Sequence, residues 1–212
     1  MLFRYIAVEG PIGAGKTALA ERLAARLDAA VVLEEMENPL LDDFYTGRHG
    51  AALQAQLFYL LNRHVQQLTL RQGNLFAQAT VADYLFDKDK IFAFLNLDDN
   101  ELFIYQRLYD LLARDVPPPD LVIYLQAPTD ELLRRLRDRT RQTGDERPIP
   151  EAAYMREMNE AYQHFFFHYT ATPLLVVETS QVDLASSDAA VDDLLRQIRT
   201  LTRGTRYYVP RT

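Results

Sequence analysis

Two rhythms alternate along this chain. Short, nearly unbroken apolar runs read as buried strands: Phe3–Val8 (FRYIAV), Val31–Glu34 (VVLE), Ala79–Asp83 (ATVAD), Asp120–Ala127 (DLVIYLQA) and Pro173–Glu178 (PLLVVE). Between them apolar residues return at helical spacing. Leu19, Leu23 and Leu27, flanked by Ala20 and Ala24, mark a first helix. Gln54–Gln72 reads as a long amphipathic helix, and Asp98–Arg114 as another that Pro117–Pro119 stops. A helix starts at Thr129, with Thr129-Asp130-Glu131 as its cap, and Gln142–Pro150 reads as a loop. Glu151–Tyr169 and Ala189–Leu201 complete the helical set. Five strands alternating with helices predict an α/β fold, a five-stranded parallel sheet with helices on both faces. No repeat, low-complexity segment or linker interrupts the pattern, so residues 1–212 are expected to form a single domain. The tail beyond Arg203 is expected to be loosely held, or docked through Tyr207-Tyr208-Val209.

The junction of the first strand and first helix carries chemistry. VEGPIGAGKT, Val8–Thr17, fits G-x-x-x-x-G-K-[ST]. Glycines let the backbone wrap an anion with its N–H groups turned inward, at the N-terminus of a helix. Gly10, Pro11, Ile12, Gly13, Ala14, Gly15, Lys16, Thr17 and Ala18 are thus candidates for holding a nucleotide phosphate. Lys16 can reach the β- and γ-phosphates, and Thr17 can offer its hydroxyl to Mg²⁺. Ligands of such sheets sit beyond the carboxyl ends of the strands, which predicts Glu34, Asp83 and the loop after Val8 on one edge.

Charge narrows the partner. The net charge is −7, against a nucleic-acid polymer, which needs a broad basic surface. The basic residues are instead local: Arg134, Arg135, Arg137, Arg139, Arg141 and Arg147 lie close together, as for one small anion. No cysteine is present, which excludes thiol chemistry and is compatible with a cytoplasmic location. No apolar run is long enough to span a membrane, and MLFRYIAVEG is too short and too soon polar for a signal peptide. His49, His64, His164 and His168 show no metal-binding spacing.

Six ordered motifs then resemble the deoxyribonucleoside kinase family, in the branch of deoxycytidine, deoxyguanosine and bacterial deoxyadenosine kinases. They are GPIGAGKT, LEEMENPLLDDFY (Leu33–Tyr45), QLFYLLNR (Gln56–Arg63), DYLFDKDKIFA (Asp83–Ala93), PPDLVIYLQA, and the arginine-rich segment ending at Pro150. The resemblance implies a P-loop kinase fold, ATP as phosphate donor, Mg²⁺, a deoxynucleoside acceptor and a homodimer, whose apolar interface Phe165-Phe166-Phe167 or the long Gln54 helix can supply. It also implies residue roles. Glu34 would be the general base that takes the 5′-hydroxyl proton, with Glu35 as the alternative. Tyr45 would contact the sugar 3′-hydroxyl. Gln56 would read the base edge with Arg63 behind it; seven residues apart on a helix, the two share a face. Asp83 would hold Mg²⁺ with Thr17. The family's arginine after this acid is replaced by Tyr84, so its cation must be replaced, with Lys88 and Lys90 the nearest candidates, or done without, and Asp87 or Asp89 would contact the base. In the lid, about residues 139–150, Arg135 and Arg139 would face the donor, Arg139 and Arg141 would stabilise the transferring group, and Glu146 would bind the 3′-hydroxyl.

The implied reaction is 5′-phosphorylation of a deoxynucleoside, with DYLFDKDKIFA pointing to deoxyadenosine or deoxyguanosine. A thymidylate-type nucleoside monophosphate kinase is a second reading, but it would show Asp-Arg-Tyr where this chain has Asp83-Tyr84-Leu85. A nucleotide-gated regulatory protein is a third; the Asn-Lys-x-Asp and Asp-x-x-Gly signatures of GTPases are missing.

Overall fold

A computed structural model describes residues 3–35, 37–71, 79–144 and 148–210. The chain divides into two compact units, one of Met1–Leu33, Ala77–Leu85 and Pro119–Thr212, the other of Glu34–Phe76 and Phe86–Pro118. The second unit is made from two excursions out of the first.

The first unit carries the sheet. Its strands are β1 (Tyr5–Glu9), β2 (Ala30–Val32), β3 (Thr80–Ala82), β4 (Leu121–Gln126), β5 (Leu174–Glu178) and β6 (Thr205–Tyr208). All neighbours are parallel, in the order β2-β3-β1-β4-β5-β6. The sheet thus has six strands rather than the five expected. β6 pairs with β5 from Leu174↔Thr205 to Val177↔Tyr208, so the tail docks as an edge strand. TRYY lacks the aliphatic run of the other strands because an edge strand is only half-buried. β1 and β4, covered on both faces, are buried almost throughout, which is why they read as unbroken apolar runs.

Four helices flank the sheet in this unit: α1 (Lys16–Leu27), α6 (Thr129–Thr143), α7 (Ala152–Phe167) and α8 (Asp188–Thr200). α1 buries Leu19, Ala20, Leu23 and Ala24, the stripe read from the sequence. α8 is capped by Ser187, whose hydroxyl accepts from the Ala190 N–H at 3.2 Å. α6 runs past the expected start of the lid loop to Thr143 and ends on Gly144, whose φ of 67° a residue with a Cβ would adopt at a cost.

The second unit is helical among its described residues: α2 (Leu41–Tyr45), α3 (Ala51–Arg71), α4 (Lys88–Asn96), α5 (Asp99–Leu112) and a 3-10 turn at Ala113–Asp115. Its core joins Leu60 of α3, Phe86, Ala93 of α4, and Tyr105 and Tyr109 of α5. Phe86 and Tyr109 stack at 5.3 Å. α5 starts with a capping box between Asp98 and Glu101, and α3 packs against α4 and α5.

Candidate functional site

In the sheet-bearing unit the strand–glycine-loop–helix reading holds in detail. β1 ends at Glu9, Gly10 opens the loop, and α1 starts at Lys16 with Gly15 at φ 90° as its N-cap. A Cβ on Gly10 would lie 2.6 Å from the Leu125 carbonyl of β4, so only glycine lets the loop pass this close to the neighbouring strand. Lys16 Nζ donates to the Gly10 and Pro11 carbonyls at 2.7 and 3.3 Å, which places its ammonium over the loop. Thr17 Oγ1 donates to Asp83 Oδ2 at 2.5 Å, and Asp83 directly follows β3. Two hard oxygens are thereby set side by side at the edge where the phosphate loop lies. That donor set fits Mg²⁺, which completes its shell with waters and phosphate oxygens. No group of three or more His, Asp or Glu residues among the described residues offers an all-protein metal cage.

Two features of this region escaped sequence reasoning. Glu9 is fully buried at the end of β1, and its carboxylate accepts from Gly10 N–H and Leu85 N–H at 2.8 Å each and from the Tyr162 hydroxyl at 3.2 Å. A carboxylate closing an otherwise apolar strand was the available signal. Tyr124, paired with Glu9 across β1 and β4, stacks on Phe166 at 4.2 Å; burial and the carboxylates of Glu9 and Glu178 push its hydroxyl up.

The arginine segment lies on α6. Arg135 Nε donates to Glu131 Oε1 at 2.8 Å, and its guanidinium also donates to the Thr179 hydroxyl and carbonyl. Arg139, one turn on, is half-buried, while Arg141 stands on the final turn of the helix, rather than at a loop start, with its side chain 78% exposed. Arg134 and Arg137 are exposed. Glu146 lies outside the described residues.

In the helical unit, five of the residues singled out in the sequence converge: Glu34, Gln56, Arg63, Lys88 and Asp89. Gln56 and Arg63 share one face of α3 and are both buried. Arg63 forks between two carboxylates: Nε and Nη2 reach Glu34 Oε1 at 2.8 and 2.6 Å, and Nη1 donates to Asp89. Lys88 donates to the other oxygen of Glu34. Asp89, wholly buried, also accepts from the Gln56 amide and from the Tyr105 hydroxyl at 2.9 Å. Two acids and two bases thus balance in one buried network. Asn38 ties the Glu34 segment to α3, donating to the Ala55 carbonyl at 3.1 Å and accepting from Leu40 N–H at 2.9 Å.

Titration follows burial and pairing. Burial works against the charge on Arg63, but Glu34 and Asp89 outweigh it and hold the guanidinium above its ordinary value. Burial raises Asp89, and Arg63, Gln56 and Tyr105 each pull it back. Tyr105 is pushed up by burial and by Asp89, so it remains a donor. Tyr59, whose ring lies 5.0 Å from the Arg63 guanidinium carbon, is pushed up to about 12 by burial, with Arg63 opposing.

The alternatives left open by the sequence now differ in place. Glu34 is inside the network and Glu35 is exposed. Lys88 is buried on Glu34, whereas Lys90 is more exposed, pairs with Asp87 at 3.1 Å and sits over the Tyr109 ring. Asp89 meets Gln56 and Arg63; Asp87 instead accepts from Tyr109 at 2.6 Å. Tyr45, at the end of α2, is 64% exposed.

A parallel sheet with a glycine-lysine-threonine loop on a helix N-terminus defines a P-loop phosphotransferase. The deoxynucleoside kinase family pattern matches residues 6–203, and the chain belongs to that family. A deoxyguanosine kinase of Bacillus subtilis (strain 168) is 36% identical over 165 residues, 75% of this chain and 76% of its own length. The deoxyadenosine/deoxycytidine kinase of the same organism is 26% identical over 205 residues, 92% of each chain. The solved deoxyadenosine kinase from M. mycoides, with the products dCMP and a flexible dCDP bound, superposes with a TM-score of 0.75 at 21% identity, over 93% of this chain and 100% of its own, and so shares the fold. The protein is a kinase, and no helix among the described residues is long and apolar enough to cross a membrane.

Arg63→Met leaves Asp89 without its cation and Glu34 with Lys88 alone, so it is expected to destabilise the protein by about 3–5 kcal/mol, read from chemical denaturation.

Proposed function

We propose that the chain is one catalytic domain that transfers the γ-phosphate of ATP, with Mg²⁺, to the 5′-hydroxyl of a purine deoxynucleoside, deoxyadenosine or deoxyguanosine. The observation that carries this reading is the Glu34 carboxylate held between Arg63 and Lys88, on the helical unit that also gathers Gln56 and Asp89. A monophosphate acceptor would bring its own charge to a network already neutral without it.

The sheet-bearing unit supplies the donor half. The loop amides, Lys16 and the α1 N-terminus hold the donor phosphates. Thr17 and Asp83 would hold Mg²⁺, which supplies neutralising charge at the β- and γ-phosphate oxygens. The helical unit supplies the acceptor half. Gln56 and Asp89 read the base edge, an amide and a carboxylate offering both donor and acceptor. Tyr45 and Glu146 bind the 3′-hydroxyl. Glu34 accepts the hydrogen bond of the 5′-hydroxyl and takes its proton as the new O–P bond forms and the bond to the departing ADP oxygen breaks. Glu34 needs only to align the hydroxyl and accept its proton, since alignment and charge matter most in this transfer. Lys88, beside it, is the cation that Tyr84 cannot provide, and Lys90 is not needed for this. Arg139 and Arg141 close on the transferring group from the lid, and Arg135, anchored to Thr179, supports the donor side. We place the enzyme in the cytoplasm, where ATP and free deoxynucleosides meet.

The protein also works as a homodimer. Leu61 and Val65 on α3 and Ile104, Leu108 and Leu111 on α5 are exposed at helical spacing on two helices that pack together. Apolar faces of this kind are usually covered, and a two-fold copy covers its own most simply. Phe165-Phe166-Phe167 is divided: Phe166 is buried against Tyr124, and Phe167 is exposed.

Three measurements test this reading. A panel of the four natural deoxynucleosides with ATP and GTP should show the highest kcat/KM for a purine; ADP formation at one rate with and without acceptor overturns the assignment. Glu34→Gln and Lys88→Gln should each lower kcat by roughly 10²-fold with deoxynucleoside binding retained. Leu108→Glu should halve the mass seen by light scattering.

A further inference from the structure

We propose that Glu9 is a positioning residue for the donor site: it locks the phosphate loop to the Asp83 segment so that Thr17 and Asp83 are presented as one Mg²⁺-binding pair. The proposal rests on the donor-site reading above and extends it to a residue that touches neither nucleotide nor metal in that scheme.

The geometry singles Glu9 out. It ends β1 with no solvent exposure, one residue before the loop. Oε1 accepts from Gly10 N–H at 2.8 Å, the first amide of the loop, and Oε2 accepts from Leu85 N–H at 2.8 Å, two residues past Asp83. The two oxygens of one carboxylate therefore bridge the segments that carry Thr17 and Asp83, whose own side chains meet at 2.5 Å. A third donor, the Tyr162 hydroxyl at 3.2 Å, comes from α7, the helix that follows the lid segment.

A buried acid behind a phosphate site is electrostatically unfavourable for the phosphate, so it needs a compensating reason. Leaving the two amides without acceptors would cost stability, but satisfying them does not by itself require a carboxylate that spans two segments. Every donor around Glu9 is an N–H or O–H, and an acceptor-only group of two oxygens matches all three. Glutamine, nearly the same shape, must aim its NH₂ at one of those donors and so frees one segment. Aspartate is one methylene shorter than this bridge.

The test uses the full-length protein and fluorescent N-methylanthraniloyl-ADP, titrated in Mg²⁺ and in EDTA, with thermal unfolding as a check on folding. The wild type should bind more tightly in Mg²⁺. Glu9→Gln should lose most of that gain, about 10-fold of it, while its affinity in EDTA and its KM for the deoxynucleoside change less than about 3-fold. Tyr162→Phe keeps both amide anchors and should lose about 2- to 5-fold of the gain. A folded Glu9→Gln protein with the full Mg²⁺ gain overturns the proposal, as does a loss spread equally over EDTA affinity and deoxynucleoside KM, or a wild type that gains nothing from Mg²⁺. If Glu9→Gln does not fold, an unchanged gain in Tyr162→Phe overturns it. The binding readout needs no acceptor, so a chain that phosphorylates no deoxynucleoside sinks the proposed function and leaves this test decidable.

Discussion

A charge withdrawn from water must find its partners within its own chain, and both units are organised by that requirement. In the helical unit Arg63 sits between Glu34 and Asp89, and Lys88 and Tyr105 complete the set. In the sheet-bearing unit Glu9 collects three donors. Desolvating an ion costs several kcal/mol even after relaxation, so the pairing inside each cluster largely offsets that cost rather than adding net stability. What such clusters supply is geometry. Each acid has a fixed set of partners drawn from more than one segment, and the segments are thereby held in one arrangement. The same requirement explains why the Arg63 network is neutral: an excess charge would have no water to face.

Much of the fold was legible because burial on two faces leaves a plain mark. β1 and β4 are unbroken apolar runs, and the Leu19-Leu23 stripe with its alanines could only be a helix packed on a sheet. β6 was not legible, since Thr205–Tyr208 is half-buried and its pairing depends on β5 rather than on its own residues. α4 was hidden for a related reason. Its first turn, Lys88-Asp89-Lys90, looks like a charged turn, yet Lys88 and Asp89 are buried because Glu34 and Arg63 meet them there. Charge read from composition says solvent; charge read with its partner says core.

The candidate site divides in the same way. The shared face of Gln56 and Arg63 follows from spacing on a helix, so the sequence shows it. The choices between Glu34 and Glu35, Lys88 and Lys90, and Asp87 and Asp89 do not, because neighbours in sequence point apart and the deciding partners are distant: Asp89 meets Arg63, 26 residues away, and Lys88 meets Glu34, 54 away. Tyr84 stands where the resemblance leads one to expect an arginine, and the two cations that pair with Glu34, Arg63 and Lys88, are not alike. A guanidinium offers a planar fork, whereas an ammonium is a compact point charge on a flexible stem. Lys88 can pair with one oxygen of Glu34 and leave Arg63 to grip the other.

The interleaving of the two units has a consequence for how the chain comes to be folded at all. β1 leaves the ribosome early, but its partners follow late: Ile6 pairs with Val81 on one side and with Leu121 on the other. The phosphate loop therefore has no walls until the helical excursions have been synthesised, and the sheet is not closed until Thr205–Tyr208, near the end of the described chain, docks on β5. Folding dominated by such distant pairings is slow, and exposed strand edges in the interval invite association. The strands on both sides of the phosphate loop must be made before the loop can be held, and a chain cut short before β4 would carry the phosphate-loop sequence without its walls.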